Sequence, residues 1–143
     1  MDSIRDKQGL AYGIASHYDA RAMPGSFWIN LQTRTETTNQ AISSVLAEMK
    51  AIREAPVTDQ ELAEAKSFLM GSFPLRMDST AKLAQVLGQV EFFGLGFDYF
   101  SQYPKWIDRV TKDDVQRVAK QYLNPQLYAL VVVGNITKAK VRH

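Results

Sequence analysis

The sequence predicts an α+β fold, and three observations carry that reading. Apolar residues alternate with a period of two from Leu10 to Thr33. From there to Tyr122 they recur at three- and four-residue steps between recognisable caps, and the chain then runs into a continuous apolar stretch, Leu127 to Val133.

Ser3 to Gln8 carries apolar Ile4 among polar residues and ends at Gly9, a C-cap position where φ turns positive. From Leu10 a strand begins, with Leu10, Tyr12, Ile14 and Tyr18 on one face and Ala11, Gly13, Ala15 and His17 on the other. The small residues of the second face let another element approach closely. Ala20 to Gly25 reads as a turn, and Ser26 to Thr33 as the return strand with Phe27, Ile29 and Leu31 on its apolar face. A hairpin is the simplest pairing.

Ile42, Val45, Leu46, Met49 and Ile52 mark one face of a helix that starts around Thr35 to Thr38 and is ended by Pro56. Thr58 and Glu61 then form a capping box, ahead of a face of Leu62, Ala65, Leu69 and Phe73 that Pro74 stops. A third helix is expected from Ser79 to about Phe93, with Leu83, Val86, Leu87 and Val90 inward, and Gly94-Leu95-Gly96 terminates it. A short fourth spans Phe97 to Asp108. Thr111 to Asp114 open a fifth by the same capping logic, with Val115, Val118, Ala119 and Tyr122 on its buried face, and Asn124-Pro125 closes it. Leu127 to Val133 is too short for a helix and reads as a central strand entering a Gly134-Asn135 turn.

The chemistry concentrates near the start. Arg5 and Tyr12 stand seven residues apart, and a guanidinium with five donors beside a phenol with one can hold peptide carbonyls and stabilise a developing oxyanion. Neither group activates water. Hydrolysis near neutral pH would need a metal-bound water and a general base from elsewhere.

The segment Ile4 to Tyr12 resembles the Arg-(x)6-Tyr motif in the second half of the pitrilysin/insulinase-type zinc metallopeptidases, the inverzincins. Three further stretches match that family in order: Thr58 to Lys66 resembles its T-x-x-E-L-x-x-A-K helix start, Val110 to Pro125 its V-T-x-x-D-V...Y-L-x-P segment, and Leu130 to Gly134 its closing strand. Helix caps and apolar strands recur widely, so the ordered set carries the resemblance. It implies a mainly antiparallel sheet packed on a layer of helices, and peptide substrates. It also implies that Arg5 and Tyr12 bind the peptide backbone while Tyr12 acts catalytically at the tetrahedral intermediate. Zinc and the general base are expected on a partner domain or subunit. A non-catalytic structural homologue, or a peptide-binding scaffold, is the alternative.

The sequence departs from the family's pattern in one chemical respect: it has no His-x-x-Glu-His, its only histidines are His17 and His143, and it has no cysteine. This chain is therefore expected to bind no metal and to be inactive alone. His17 and Asp19 share a strand face, but a metal site needs a third ligand and none is identifiable. Because the family places further strands and a helix before the Arg motif, residues 1–143 are expected to be a single partial domain, the later part of the family's C-terminal domain truncated at its N-terminal side. Exposed sheet edges then make self-association an expected interaction.

Composition bounds the rest. With 143 residues and 45% hydrophobic content the chain is long enough to bury a core. Seventeen basic residues against fifteen acidic ones, with no long basic cluster, argue against nucleic acid, and Lys138, Lys140 and Arg142 read as a solvated terminus. The aromatics from Phe92 to Phe100 read as packing at a helix junction, and Gly94-Leu95-Gly96 lacks the lysine of a phosphate loop. No long apolar span or signal-peptide pattern occurs, although a truncated chain would lose such a segment. The absence of cysteine fits cytoplasm and periplasm equally, leaving the compartment open.

Overall fold

A computed structural model describes residues 9–19 and 25–141. The expected first helix, Ser3 to Gln8, and most of the hairpin turn, Ala20 to Pro24, lie outside the described residues. Two strands, β1 (Ala11–Asp19) and β2 (Ser26–Thr33), pair antiparallel. Helices follow: α1 (Thr38–Glu54), α2 (Asp59–Ser72), α3 (Thr80–Phe92), α4 (Tyr99–Arg109), α5 (Lys112–Tyr122) and α6 (Ile136–Ala139). The fold is α+β, and the chain divides into two compact units.

The first unit contains the described residues of Met1–Arg53 and Gln121–His143. Its buried centre is Leu10, 5% exposed, with Ala11; Ile14 and Leu31 pack on them from the two strands and Val45 from α1. The helix face predicted from Ile42, Val45 and Leu46 thus supplies a residue to the sheet, as amphipathic spacing requires. The C-terminal segment is tied to the same unit by polar contacts. Asn39 Nδ2 donates to the carbonyls of Ala139 and Lys140 at 3.0 and 3.1 Å, and Arg53 Nη1 donates to the Leu123 carbonyl at 2.8 Å. Lys138 Nζ reaches Glu36 Oε1 at 2.6 Å.

The second unit, Glu54–Lys120, is built around Phe73. That ring is 6% exposed, stacks on Tyr103 at 4.0 Å between centroids and meets Tyr99 edge-on at 6.0 Å. Arg76 caps the stack, its guanidinium carbon 6.0 Å from the Phe73 centroid and 5.8 Å from that of Tyr103. The Tyr99 phenol is shifted upward, chiefly because burial disfavours its ionised form, with Tyr103 adding to the effect and Arg76 opposing it.

The caps form as the sequence predicts. Thr58 Oγ1 accepts from Glu61 N at 3.2 Å while the Glu61 carboxylate accepts from Thr58 N at 2.8 Å, a reciprocal pair whose loss costs about 1 kcal/mol. Thr111 and Asp114 repeat it at 3.1 Å in both directions. Pro74 follows the end of α2 and opens a 3-10 turn, and Gly94 and Gly96, at φ +63° and +81°, terminate α3. Pro104 lies inside α4, where it removes one helical hydrogen bond.

Several expectations are corrected. Leu127 to Val133 is not a strand: the Leu127 N–H turns back to the Asn124 carbonyl at 3.1 Å, and no strand among the described residues supplies a ladder for the segment. Apolar composition favours a strand but does not create its hydrogen-bonding partner, and Val133 is 94% exposed. Instead Asn135 caps α6, its Oδ1 accepting from Lys138 N at 2.9 Å. Val118 and Tyr122, both expected on the buried face of α5, are exposed and Ala119 is the buried residue, while Leu83 and Leu87, expected inward on α3, are exposed and Val90 is the buried one. Tyr12 does not share the environment of Leu10 and Ile14, for a reason that defines the candidate site.

Candidate functional site

Tyr12 is the extra residue of a β-bulge. Ala11 pairs with Thr33 and Gly13 with Gln32, leaving Tyr12 without an opposite number in β2. An inserted residue breaks the alternation of faces, so Leu10 and Ala11 are both buried while Tyr12 is 76% exposed. The phenol consequently stands clear of the core and is free to donate to something outside it. Glycine at position 13 is the sequence signal for this irregularity, since glycine inside a strand marks bulges.

The bulge is held from the end of β2. Thr33 Oγ1 donates to the Leu10 carbonyl and lies 2.8 Å from Thr37 Oγ1. Gly9 precedes this anchor at φ +59°, the left-handed region that the predicted cap position requires. Arg34 follows it in extended conformation, and its carbonyl accepts from Thr37 N at 3.1 Å as the helical segment begins. Gly9, Leu10, Ala11, Tyr12 and Arg34 together line a hollow of about 210 Å³. Tyr12, from the bulge, and Arg34, from the end of the hairpin, are therefore both lining residues of one open space.

The charged surroundings of the hollow are asymmetric. Glu36 lies near Arg34, but its carboxylate is engaged by Lys138. That hydrogen bond is the main reason the Glu36 pKa is lowered and the Lys138 pKa raised. Among the described residues the Arg34 side chain makes no ion pair.

Of the two residues singled out by sequence, Tyr12 is at the hollow and Arg5 lies outside the described residues. Arg34 was missed, since a lone arginine between a strand and a helix is the commonest kind of surface residue. The His17 ring stacks on Trp28, its cross-strand partner, at 4.2 Å between centroids. His143 lies outside the described residues. Among the described residues there is no group of three or more His, Cys, Asp or Glu able to hold a metal ion, so those residues do not fit a zinc site. Nor is any described helix long and apolar enough to cross a membrane.

Comparison with known proteins places these features in a family context. A family model described as the peptidase M16 inactive domain matches residues 1–69, which include Arg5, Tyr12 and Arg34. The non-peptidase homolog YmxG of Helicobacter pylori is 28% identical over 98% of this chain and 32% of its own length. An uncharacterized zinc protease of Streptomyces coelicolor is 29% identical over 94% of this chain and 29% of its own length. The crystal structure of a peptidase M16 inactive domain from Pseudomonas fluorescens superposes with a TM-score of 0.74 at 30% identity, covering 87% of this chain and 30% of that one. The chain thus spans about a third of the length of the relatives it matches.

Proposed function

This chain belongs to the pitrilysin/insulinase-type (M16) peptidases, on the side of the family's inactive domain, and from that premise we propose that it positions peptide substrates for a zinc-bearing partner domain or subunit. Within the family it is similar to the part described as the inactive domain, and among its described residues no group of three or more His, Cys, Asp or Glu could hold a metal ion. Tyr12, with Arg5 beside it in the motif, anchors the peptide backbone and donates to the oxyanion of the tetrahedral intermediate. Zinc and the general base belong to the partner. The work of this chain is to bind, orient and donate.

The observation that carries the reading is the bulge at Tyr12. A tyrosine in a strand ordinarily packs its ring against a neighbour, whereas this one is exposed and belongs to the lining of a hollow while both preceding residues are buried. Exposed placement on a rigid element is what a substrate-positioning donor needs. The test is reconstitution with a zinc-bearing partner of the same family. Zinc-dependent cleavage of an unstructured peptide by the pair, with none from this chain alone, is the expected result; a pair that assembles and cleaves no faster than the partner alone would remove the proposal.

A second reading, a non-catalytic scaffold, is favoured by the similarity to the Helicobacter pylori protein described as a non-peptidase homolog, which extends over 98% of the chain. On that reading the pair assembles but Tyr12 has no effect on any turnover.

A further inference from the structure

Arg34 and Tyr12 line the same hollow, and the two residues come from different parts of the hairpin. Tyr12 is the bulged residue of β1, whereas Arg34 directly follows β2. The two strands bring them together because Ala11 and Thr33 are register partners at the open end of the hairpin. A guanidinium is always charged near neutral pH and presents paired donors that match the two oxygens of a carboxylate. The carboxylate nearest in sequence, Glu36, is already held by Lys138 at 2.6 Å, and among the described residues no other carboxylate engages Arg34. The backbone that carries Arg34 is fixed by bonds from Thr37 N and Thr37 Oγ1 to its carbonyl, both at 3.1 Å.

We propose that Arg34 is a further positioning residue of this site, binding a carboxylate of the peptide whose backbone Tyr12 contacts. The geometric basis is that both residues line the same hollow of about 210 Å³, and the electrostatic basis is that the Glu36 carboxylate, the acid that Arg34 also influences, has Lys138 as its ion-pair partner. The inference rests on the peptide-anchoring role proposed for Tyr12. It adds a charge preference to that role: peptides with an acidic side chain or a free C-terminus at the right distance bind better than neutral ones. Both sources present the same carboxylate chemistry.

One unstructured peptide made in four forms separates the possibilities: Glu or Gln at one position, each with a free or an amidated C-terminus. Affinities are measured by calorimetry for the 143-residue chain, Arg34→Gln, Arg34→Lys and Tyr12→Phe, with amide exchange verifying that the hairpin is intact. Because the pair is solvent-exposed, Arg34→Gln is expected to weaken the preferred acidic form by about fivefold and leave the neutral form unchanged. Arg34→Lys keeps the charge without the fork and is expected to fall between the two. The form whose affinity drops identifies side chain or terminus as the source. If Tyr12→Phe weakens every form while Arg34→Gln weakens none, or weakens acidic and neutral forms alike, the role of Arg34 is overturned and that of Tyr12 stands. A chain that binds none of the four forms overturns both.

Discussion

Replacing Thr33 by valine isolates what holds the bulge in place. The substitution conserves shape and strand propensity but removes the hydroxyl that donates to the Leu10 carbonyl and contacts Thr37 Oγ1 at 2.8 Å. Leu10 is 5% exposed, so little water is available to replace the lost donor. Removing the donor and leaving the partly buried carbonyl unsatisfied costs about 2 kcal/mol. A local destabilisation of about 2 kcal/mol corresponds to roughly a thirtyfold loss of protection. Amide hydrogen exchange resolved along β1 is the appropriate assay, because it reads the hairpin separately from the helical unit. The expected result is reduced protection from Ala11 to Asp19 with α2 to α4 unchanged. Protection in β1 indistinguishable from the unsubstituted chain would refute the claim that Thr33 anchors the bulge.

Two other consequences concern the helical unit. Phe73→Ala removes the buried ring on which Tyr103 and Tyr99 pack and should cost about 3 to 5 kcal/mol, read from urea unfolding, with the β1–β2 register unaffected. The Asp114 carboxyl is lowered from 3.8 to about 2, first by the hydrogen bond from Thr111 and then by Arg117. A depressed carboxylate contributes stability that is present above its unfolded value and lost as pH falls, so the cap at α5 should weaken between about pH 4 and pH 2. An NMR titration of Asp114 with its midpoint near 4 would contradict this.

Much of the fold was legible where a local rule decides the outcome. The Thr58–Glu61 box, the stop at Pro74 and the turn at Gly94 and Gly96 need only neighbouring residues, and the two-residue period of the hairpin is written in its side chains. What escaped depends on partners distant in sequence. Leu127 to Val133 has the composition of a buried strand but finds no ladder among the described residues. Tyr122 continues the spacing of Val115 and Ala119, yet stands at the helix terminus beyond the packed surface.

The candidate site divides in the same way. Tyr12 was found through its motif, but its exposure was not, because strict alternation assigns it the face of Leu10. The misassignment follows from one extra residue in β1, an irregularity fixed by pairing with β2 and hinted at only by Gly13. Arg34 carried no signal at all, since its closeness to Tyr12 comes from the hairpin register rather than from spacing along the chain.

The central claim is that Tyr12 acts on substrate through its hydroxyl, and Tyr12→Phe removes that oxygen while leaving an exposed ring in place. In a reconstituted pair with matched zinc content and matched β1 protection, the account predicts that kcat falls by about a hundredfold, the loss expected for a single oxyanion donor. An active pair whose kcat and KM are both unchanged by the substitution would contradict it.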